Sequence, residues 1–191
     1  MSAIATSYSG VTVDYEDIES TEIRGDDLRI HLTRLCRYHG AVEFSVLQHS
    51  ALCTLLAEKW GPVVKGYAAA HDLHEAYTGD LNGKIKRLPW LADLWLEFES
   101  RWAAHVHRSM GLPWPLPEQV QDMVDAIDHR ALFVETFTCG GHENLVERLR
   151  QPQAVSAWEQ DRANLVLGMR TPALWAVVSG AIRDARYALA Q

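Results

Sequence analysis

The stretch from Pro62 to Asp80 constrains this chain more than any other. Its middle, Gly66-Tyr67-Ala68-Ala69-Ala70, is apolar and leads straight into His71-Asp72-Leu73-His74-Glu75-Ala76-Tyr77-Thr78-Gly79-Asp80. A helix that is apolar nearly all round belongs at the centre of a fold. Two histidines and three carboxylates crowded behind it are costly to bury unless a metal or a substrate uses them. The pattern predicts a helix over about 62–77, with Pro62 at its start and Thr78-Gly79-Asp80 at its end.

The flanking segments also read as helices. Asp26 or Asp27 is the predicted cap of a first helix that carries Leu28, Ile30, Leu32 and Leu35 and ends near Tyr38. A second, from about Phe44 to Trp60, has Val46, Leu47, Leu52, Leu55 and Leu56 at helical spacing and stops at Gly61-Pro62. Asn82-Gly83 signals a turn, followed by the basic cluster Lys84, Lys86 and Arg87. A Trp-rich amphipathic helix then covers Pro89 to Met110, and another runs from near Pro117 to about Cys139, ended by Gly140-Gly141. Two more cover about 153–169 and 172–189, the last with Thr171 as cap and Pro172 at its first position. Strand patterns are nearly absent, Val11-Val13-Tyr15 making a short strand at best. The expected fold is all-α, a helical bundle forming one domain over 25–191 behind an irregular arm over 1–24.

Length and charge narrow the function. A chain of 191 residues suits one domain with a proper core. A formal net charge of −7 argues against a nucleic-acid polymer as partner, while a small anion needs only a local positive patch. Cys36, Cys53 and Cys139 are widely spaced and form no CxxC pair, so they read as buried thiols in a reducing cytoplasm. The start MSAIATSYSG lacks a basic residue followed by an apolar run, and no stretch is long and apolar enough to span a membrane.

A divalent metal used for phosphate chemistry takes imidazole and carboxylate ligands and keeps positions open for water and substrate. On a helix, His71 and Asp72 point about 100° apart and can both reach an ion between them. Glu75 lies at i+4 from His71 and i+3 from Asp72, on the same face. One turn along is too far for ligation and well placed to hold an attacking water. The remaining ligands must come from neighbouring helices. His49 is the best candidate, alone in an apolar helix apart from Gln48 and Ser50. Asp125 and Asp128 are one turn apart, and their spacing does not choose between them. His74, His105, His107, His129 and His142 are not expected to be ligands.

The order His49, His71-Asp72, Asp128 resembles the H…HD…D signature of the HD-domain metal-dependent phosphohydrolases. Within that family it looks most like the deoxynucleotidase-like branch, which includes phage dNTP (dATP) triphosphohydrolases. His71-Asp72-Leu-His-Glu75-Ala-Tyr-Thr-Gly79-Asp80 fits HDxxExxxGD, and Ser45-Val46-Leu47-Gln48-His49-Ser50 fits SVxxHS. The segment from Leu32 to Gly40 is similar to an arginine–aromatic element. The likeness covers about 28–136. Glu135, seven residues after Asp128, matches the glutamate that commonly follows the last aspartate, which favours Asp128 over Asp125.

The resemblance implies an HD-type bundle holding one divalent ion (Co, Mn, Zn or Mg) through His49, His71, Asp72 and Asp128. It implies catalytic roles for Glu75 and Asp80. Arg37 would face the substrate phosphate, with Glu43 as its alternative partner, and Tyr38 would face the sugar. Lys86 holds the position of a phosphate-binding lysine, with Lys84 as its competitor. The chain departs from the pattern at Leu81-Asn82-Gly83-Lys84-Ile85-Lys86, which lacks the usual prolines, and in a shorter loop between Arg37 and His49. The implied activity is hydrolysis of deoxyribonucleoside phosphates at the α-phosphorus. Either a dNTP releases tripolyphosphate or a dNMP releases phosphate. The alternative is a non-catalytic nucleotide-binding regulator or scaffold with the same fold, against which the intact Glu75 and full ligand set count. The many tryptophans and the apolar C-terminal helices point to a homo-oligomer.

Overall fold

The apolar segment does form the central helix. In the structure, a computed structural model that describes residues 3–139 and 154–191, it is α3 (Gly61–Ala70). Val64, Tyr67, Ala68, Ala69 and Ala70 are buried. Before it come α1 (Gly25–Arg34) and α2 (Val46–Leu56). After it come the short α4 (Glu75–Thr78) and α5 (Gly83–Lys86), then α6 (Ala92–Ser109) and α7 (Glu118–Thr138). The chain closes with α8 (Ala157–Gly168) and α9 (Thr171–Leu189). The helix end at Gly140-Gly141, the helix start at 153 and His142 lie outside the described residues. The architecture is an all-α bundle in which α2, α7 and α9 pack on α3. Among the described residues no helix is long and apolar enough to cross a membrane.

Gly66 sets how closely α3 meets α9. A Cβ there would lie 2.2 Å from the Cβ of Ala185 and 3.0 Å from the carbonyl oxygen of Ala181. Gly66→Ala is expected to destabilise the fold by about 1–3 kcal/mol through overpacking. Thermal melting would show this as a midpoint several degrees lower, and an unchanged midpoint would contradict the close approach.

Several boundaries differ from the sequence reading, each for a local reason. Helix α2 starts at Val46 because Ser45 and Gln48 form a capping box, each side chain bonded to the other's backbone N–H. After Leu56 the chain tightens into a 3₁₀ turn over Ala57–Trp60. Helix α1 begins on Arg24 as cap, and neither Asp26 nor Asp27 caps it. Asp27 is fully buried and instead accepts bonds from the Ser9 N–H (2.7 Å) and hydroxyl (2.8 Å). Helix α6 begins at Ala92 rather than Pro89, and Arg170 rather than Thr171 caps α9.

Part of the arm before α1 is regular. β1 (Ile4–Thr6) and β2 (Thr12–Asp14) form an antiparallel hairpin, with Ala5 opposite Val13. Val13 and Ile18 join the core, and Tyr15 packs against Phe98 and Trp102. Trp102 is fully buried and stacks on Tyr77 with ring centroids 4.7 Å apart.

The predicted helix over 62–77 breaks at the His-Asp pair. Helix α3 ends at Ala70, and the next turn runs on i→i−3 bonds: Leu73 N–H to Ala70 (3.0 Å), Glu75 N–H to Asp72 (3.0 Å) and Ala76 N–H to Leu73 (3.2 Å). The cause is a side chain. The Ala68 carbonyl, which a continuing α-helix would offer to the Asp72 N–H, accepts Nδ1–H of His71 at 2.8 Å. The chain also leaves the helical path after Arg34. Leu35 is extended, and Tyr38 and His39 (both φ 56°) and Gly40 (φ 77°) turn in the left-handed region. That region is sterically costly for a tyrosine and a histidine.

Candidate metal centre

Helices α2, α3 and α7 meet around the histidines. His49 on α2 is fully buried. Its Nδ1 bonds the carboxylate of Glu135 from α7, which turns Nε2 toward His71. His71, at the end of α3, donates Nδ1–H to Ala68 and likewise turns Nε2 toward His49. The two Nε2 atoms are 3.1 Å apart. Asp72 Oδ2 is 3.3 Å from each of them. Asp128 Oδ1, from α7, is 3.1 Å from Nε2 of His49 and 3.8 Å from that of His71.

Nitrogen and oxygen donors bind divalent ions at about 2.0–2.2 Å, so donors sharing one ion stand roughly 3–4 Å apart. These separations fit one ion. So does the chemistry: two imidazole nitrogens and two carboxylates gather around one point that calls for positive charge, which a divalent ion would supply in place of the imidazole protons.

Cys53, one turn after His49, also joins a His49–Cys53–His71–Asp128 group whose ligand atoms lie within 4.8 Å of one another, close enough to hold a metal ion. Its Sγ is 3.6 Å from Nε2 of His49 and 4.0 Å from Nδ1, so the sulfur lies beside the ring rather than beyond Nε2. Asp125 stays on the surface and accepts a bond from Gln121.

The charges around this point are uneven. Burial opposes a charge on His49, yet Cys53, Glu135 and Asp128 raise its pKa well above the usual imidazole range. Burial likewise opposes a charge on His71, which Asp72 and Asp128 raise. Burial also works against ionised Asp72 and Asp128, but the two histidines hold both well below the usual carboxylate range. Burial also opposes the charge on Glu135, whose pKa His49 and Arg37 lower.

Glu135 was visible in the sequence only as a spacing marker, two turns beyond Asp128 on the same face of α7. In the fold it is fully buried and ties three side chains together. It holds His49, accepts the Tyr38 hydroxyl at 2.9 Å and pairs with Nε of Arg37 at 3.1 Å. Replacing it with glutamine is expected to weaken divalent-metal binding by about 10–100-fold, the usual cost of losing such a partner. Calorimetric titration with Mn²⁺ measures this, and an unchanged affinity would deny Glu135 that role.

Glu75 opens α4 and is buried. Its Oε1 is 3.8 Å from Nζ of Lys86, and its Oε2 has no hydrogen-bond partner among the described residues. Burial, then the charges of Asp72 and Asp80, raise its pKa well above the usual carboxylate range against the pull of Lys86 and Arg37.

A cleft of about 470 Å³ adjoins the cage, lined by residues including Arg37, Tyr38, Asp80, Lys84, Arg87 and Leu132. Arg37 joins cleft to cage. Its partners are Glu135 and, at 3.6 Å, Asp72, rather than the Glu43 considered from sequence. Burial opposes its charge, but Glu135 and Asp72 raise its pKa further. Burial, followed by the charge of Glu135, raises the pKa of Tyr38, and burial also raises that of Asp80. Of the two competing lysines, Lys84 lines the cleft. Lys86 is bonded instead to Glu99 of α6 at 2.5 Å, a residue that nothing in the sequence pattern singles out.

No family model matches the chain. Over 115 residues it is 33% identical to a protein of Escherichia coli (strain K12) described as "Uncharacterized protein YfdR". The match covers 59% of this chain and 61% of that protein, so it spans less than two thirds of the relative's length. The chain is an all-α bundle carrying a histidine–cysteine–aspartate group close enough to hold a metal ion.

Proposed function

We propose that this chain is a metal-dependent phosphohydrolase that acts on deoxyribonucleoside phosphates at the α-phosphorus. The observation that carries this reading is the convergence of His49, His71, Asp72 and Asp128 on one point, with half-partnered Glu75 nearby and a cationic cleft alongside. The resemblance to the HD-domain phosphohydrolases supports it. His49, His71, Asp72 and Asp128 would hold one divalent ion. When bound, such an ion supplies Lewis acidity toward a phosphate oxygen and lowers the pKa of water.

The chain's own residues do the rest. Arg37, Lys84 and Arg87 neutralise phosphate charge in the cleft. The Tyr38 ring, fixed through its hydroxyl to Glu135, forms a wall against the sugar. Asp80 offers its carboxyl to a sugar hydroxyl. Glu75 uses its free oxygen to orient the attacking water and take its proton. The water oxygen bonds to the α-phosphorus as the bond from that phosphorus to O5′ breaks, and the proton passes to O5′. The products are a deoxynucleoside and either phosphate or tripolyphosphate. Three cations in one cleft favour a substrate with more than one phosphate.

The test is to incubate purified protein with Mn²⁺ or Co²⁺ and a panel of NMPs, dNMPs and dNTPs. Chromatography then separates phosphate, pyrophosphate and tripolyphosphate. Release of deoxynucleoside with phosphate or tripolyphosphate is expected. A protein that binds metal and turns over no nucleotide would sink the reading.

A further inference from the structure

Lys86 stands apart from the other basic residues of its segment. Lys84 and Arg87 are three apart, so on the single turn of α5 they share a face, and both line the cleft. Lys86 points elsewhere. Its ammonium sits between two carboxylates, 2.5 Å from Glu99 Oε1 and 3.8 Å from Glu75 Oε1. Glu99 comes from α6, a helix anchored one turn later by fully buried Trp102. It also lies 3.5 Å from Nε2 of His74. Its ammonium hydrogen-bonds Glu99 and, unlike Arg37, Lys84 and Arg87, does not line the cleft.

The arrangement suits a different task. Glu75 is buried and would otherwise have no charged partner beside its Oε1. Lys86 faces that oxygen across 3.8 Å, an ion pair without a hydrogen bond, and Oε2 has no hydrogen-bond partner among the described residues. We propose that Lys86 and Glu99 form a clamp that positions Glu75, and that neither touches the substrate. Glu99 fixes the ammonium, and the ammonium fixes the carboxylate. This rests on the hydrolase reading above, in which Glu75 handles the water. Both are positioning residues, and phosphate recognition falls to Arg37, Lys84 and Arg87.

The test compares Lys86→Met, Glu99→Gln, the double variant and Lys84→Met in the metal-loaded full chain, with dAMP and dATP as substrates. Lys86→Met and Glu99→Gln should each lower kcat by about 10–100-fold, the usual result of a misplaced catalytic group. Their KM values should stay within about threefold of wild type, as for a loss that leaves ground-state binding intact. The double variant should be no worse than Lys86→Met alone, because both act through one contact. Lys86→Arg should restore part of kcat, since a guanidinium can also bridge two carboxylates. Lys84→Met should raise KM instead.

A second readout is independent of turnover. In a Glu75→Gln background, calorimetry should show dATP affinity unchanged by Lys86→Met and weakened by Lys84→Met. A raised KM or lost dATP affinity in Lys86→Met, with kcat retained, would make Lys86 a phosphate ligand and overturn the clamp alone. Independent, multiplying effects of the two substitutions would also overturn it. A wild-type protein that turns over neither nucleotide overturns the hydrolase reading, and the clamp with it.

Discussion

Replacing Glu75 with glutamine is expected to cut deoxynucleotide turnover by about 10²–10⁴-fold, the span usual for loss of a general base. Mn²⁺ affinity should stay close to that of wild type. The two halves of this expectation come from different observations. Glu75 is buried in the turn that follows the His-Asp pair, and one of its oxygens has no hydrogen-bond partner among the described residues. The four donor atoms, by contrast, meet one another without it. Glutamine keeps the shape of the side chain and loses only its capacity to take a proton. If Glu75→Gln abolishes metal binding, the residue belongs to the cage and its assignment to the water is wrong. If turnover survives undiminished, the proton goes elsewhere.

His71→Ala should have the opposite signature. A bound ion stabilises the folded state by mass action, about 2.7 kcal/mol when its free concentration is a hundred times Kd. For a chain of this size that corresponds to a rise in Tm of roughly 5–10 °C. Wild-type protein should therefore melt higher in Mn²⁺ than in a chelator, and His71→Ala should show no such difference. Its loss of affinity should exceed the 10–100-fold cost of an outer partner such as Glu135. The imidazole supplies one of two facing nitrogens 3.1 Å apart, so removing it would leave a bound ion half of its nitrogen ligands. A metal-dependent rise in Tm that persists in His71→Ala would place the bound ion outside this cage.

The central helices were legible in the sequence because their apolar periodicity is long and strong. The segment leading to Ala70 is apolar nearly all round, and it lies at the centre. His49 stood out as a polar residue in an apolar stripe, and His71-Asp72 as an adjacent pair within the predicted helix. The break at His71 was not legible. It depends on an imidazole N–H taking the Ala68 carbonyl, and hydrophobic periodicity carries no trace of such a bond. Of the hairpin only the second strand left a trace, the Val11-Val13-Tyr15 alternation; its partner over Ile4–Thr6 is too short to show a period of two.

The residues around the cage escaped for another reason. Glu135 and Glu99 lie on amphipathic helices where a glutamate is unremarkable, and their importance arises from what faces them across a helix contact. Glu135 meets His49, Tyr38 and Arg37; Glu99 meets Lys86. The division between Lys84 and Lys86 depends on how one short helical turn is seated, which no spacing rule for long helices supplies.

The most direct measurement is anomalous diffraction from crystals soaked in Mn²⁺. The account predicts a single strong peak enclosed by His49 Nε2, His71 Nε2, Asp72 Oδ2 and Asp128 Oδ1, at about 2.0–2.3 Å from each. Cys53 should remain beside the His49 ring and outside that shell. A peak bound by Cys53 in place of Asp72, a peak elsewhere on the molecule, or no peak from protein that binds Mn²⁺ in solution would contradict it.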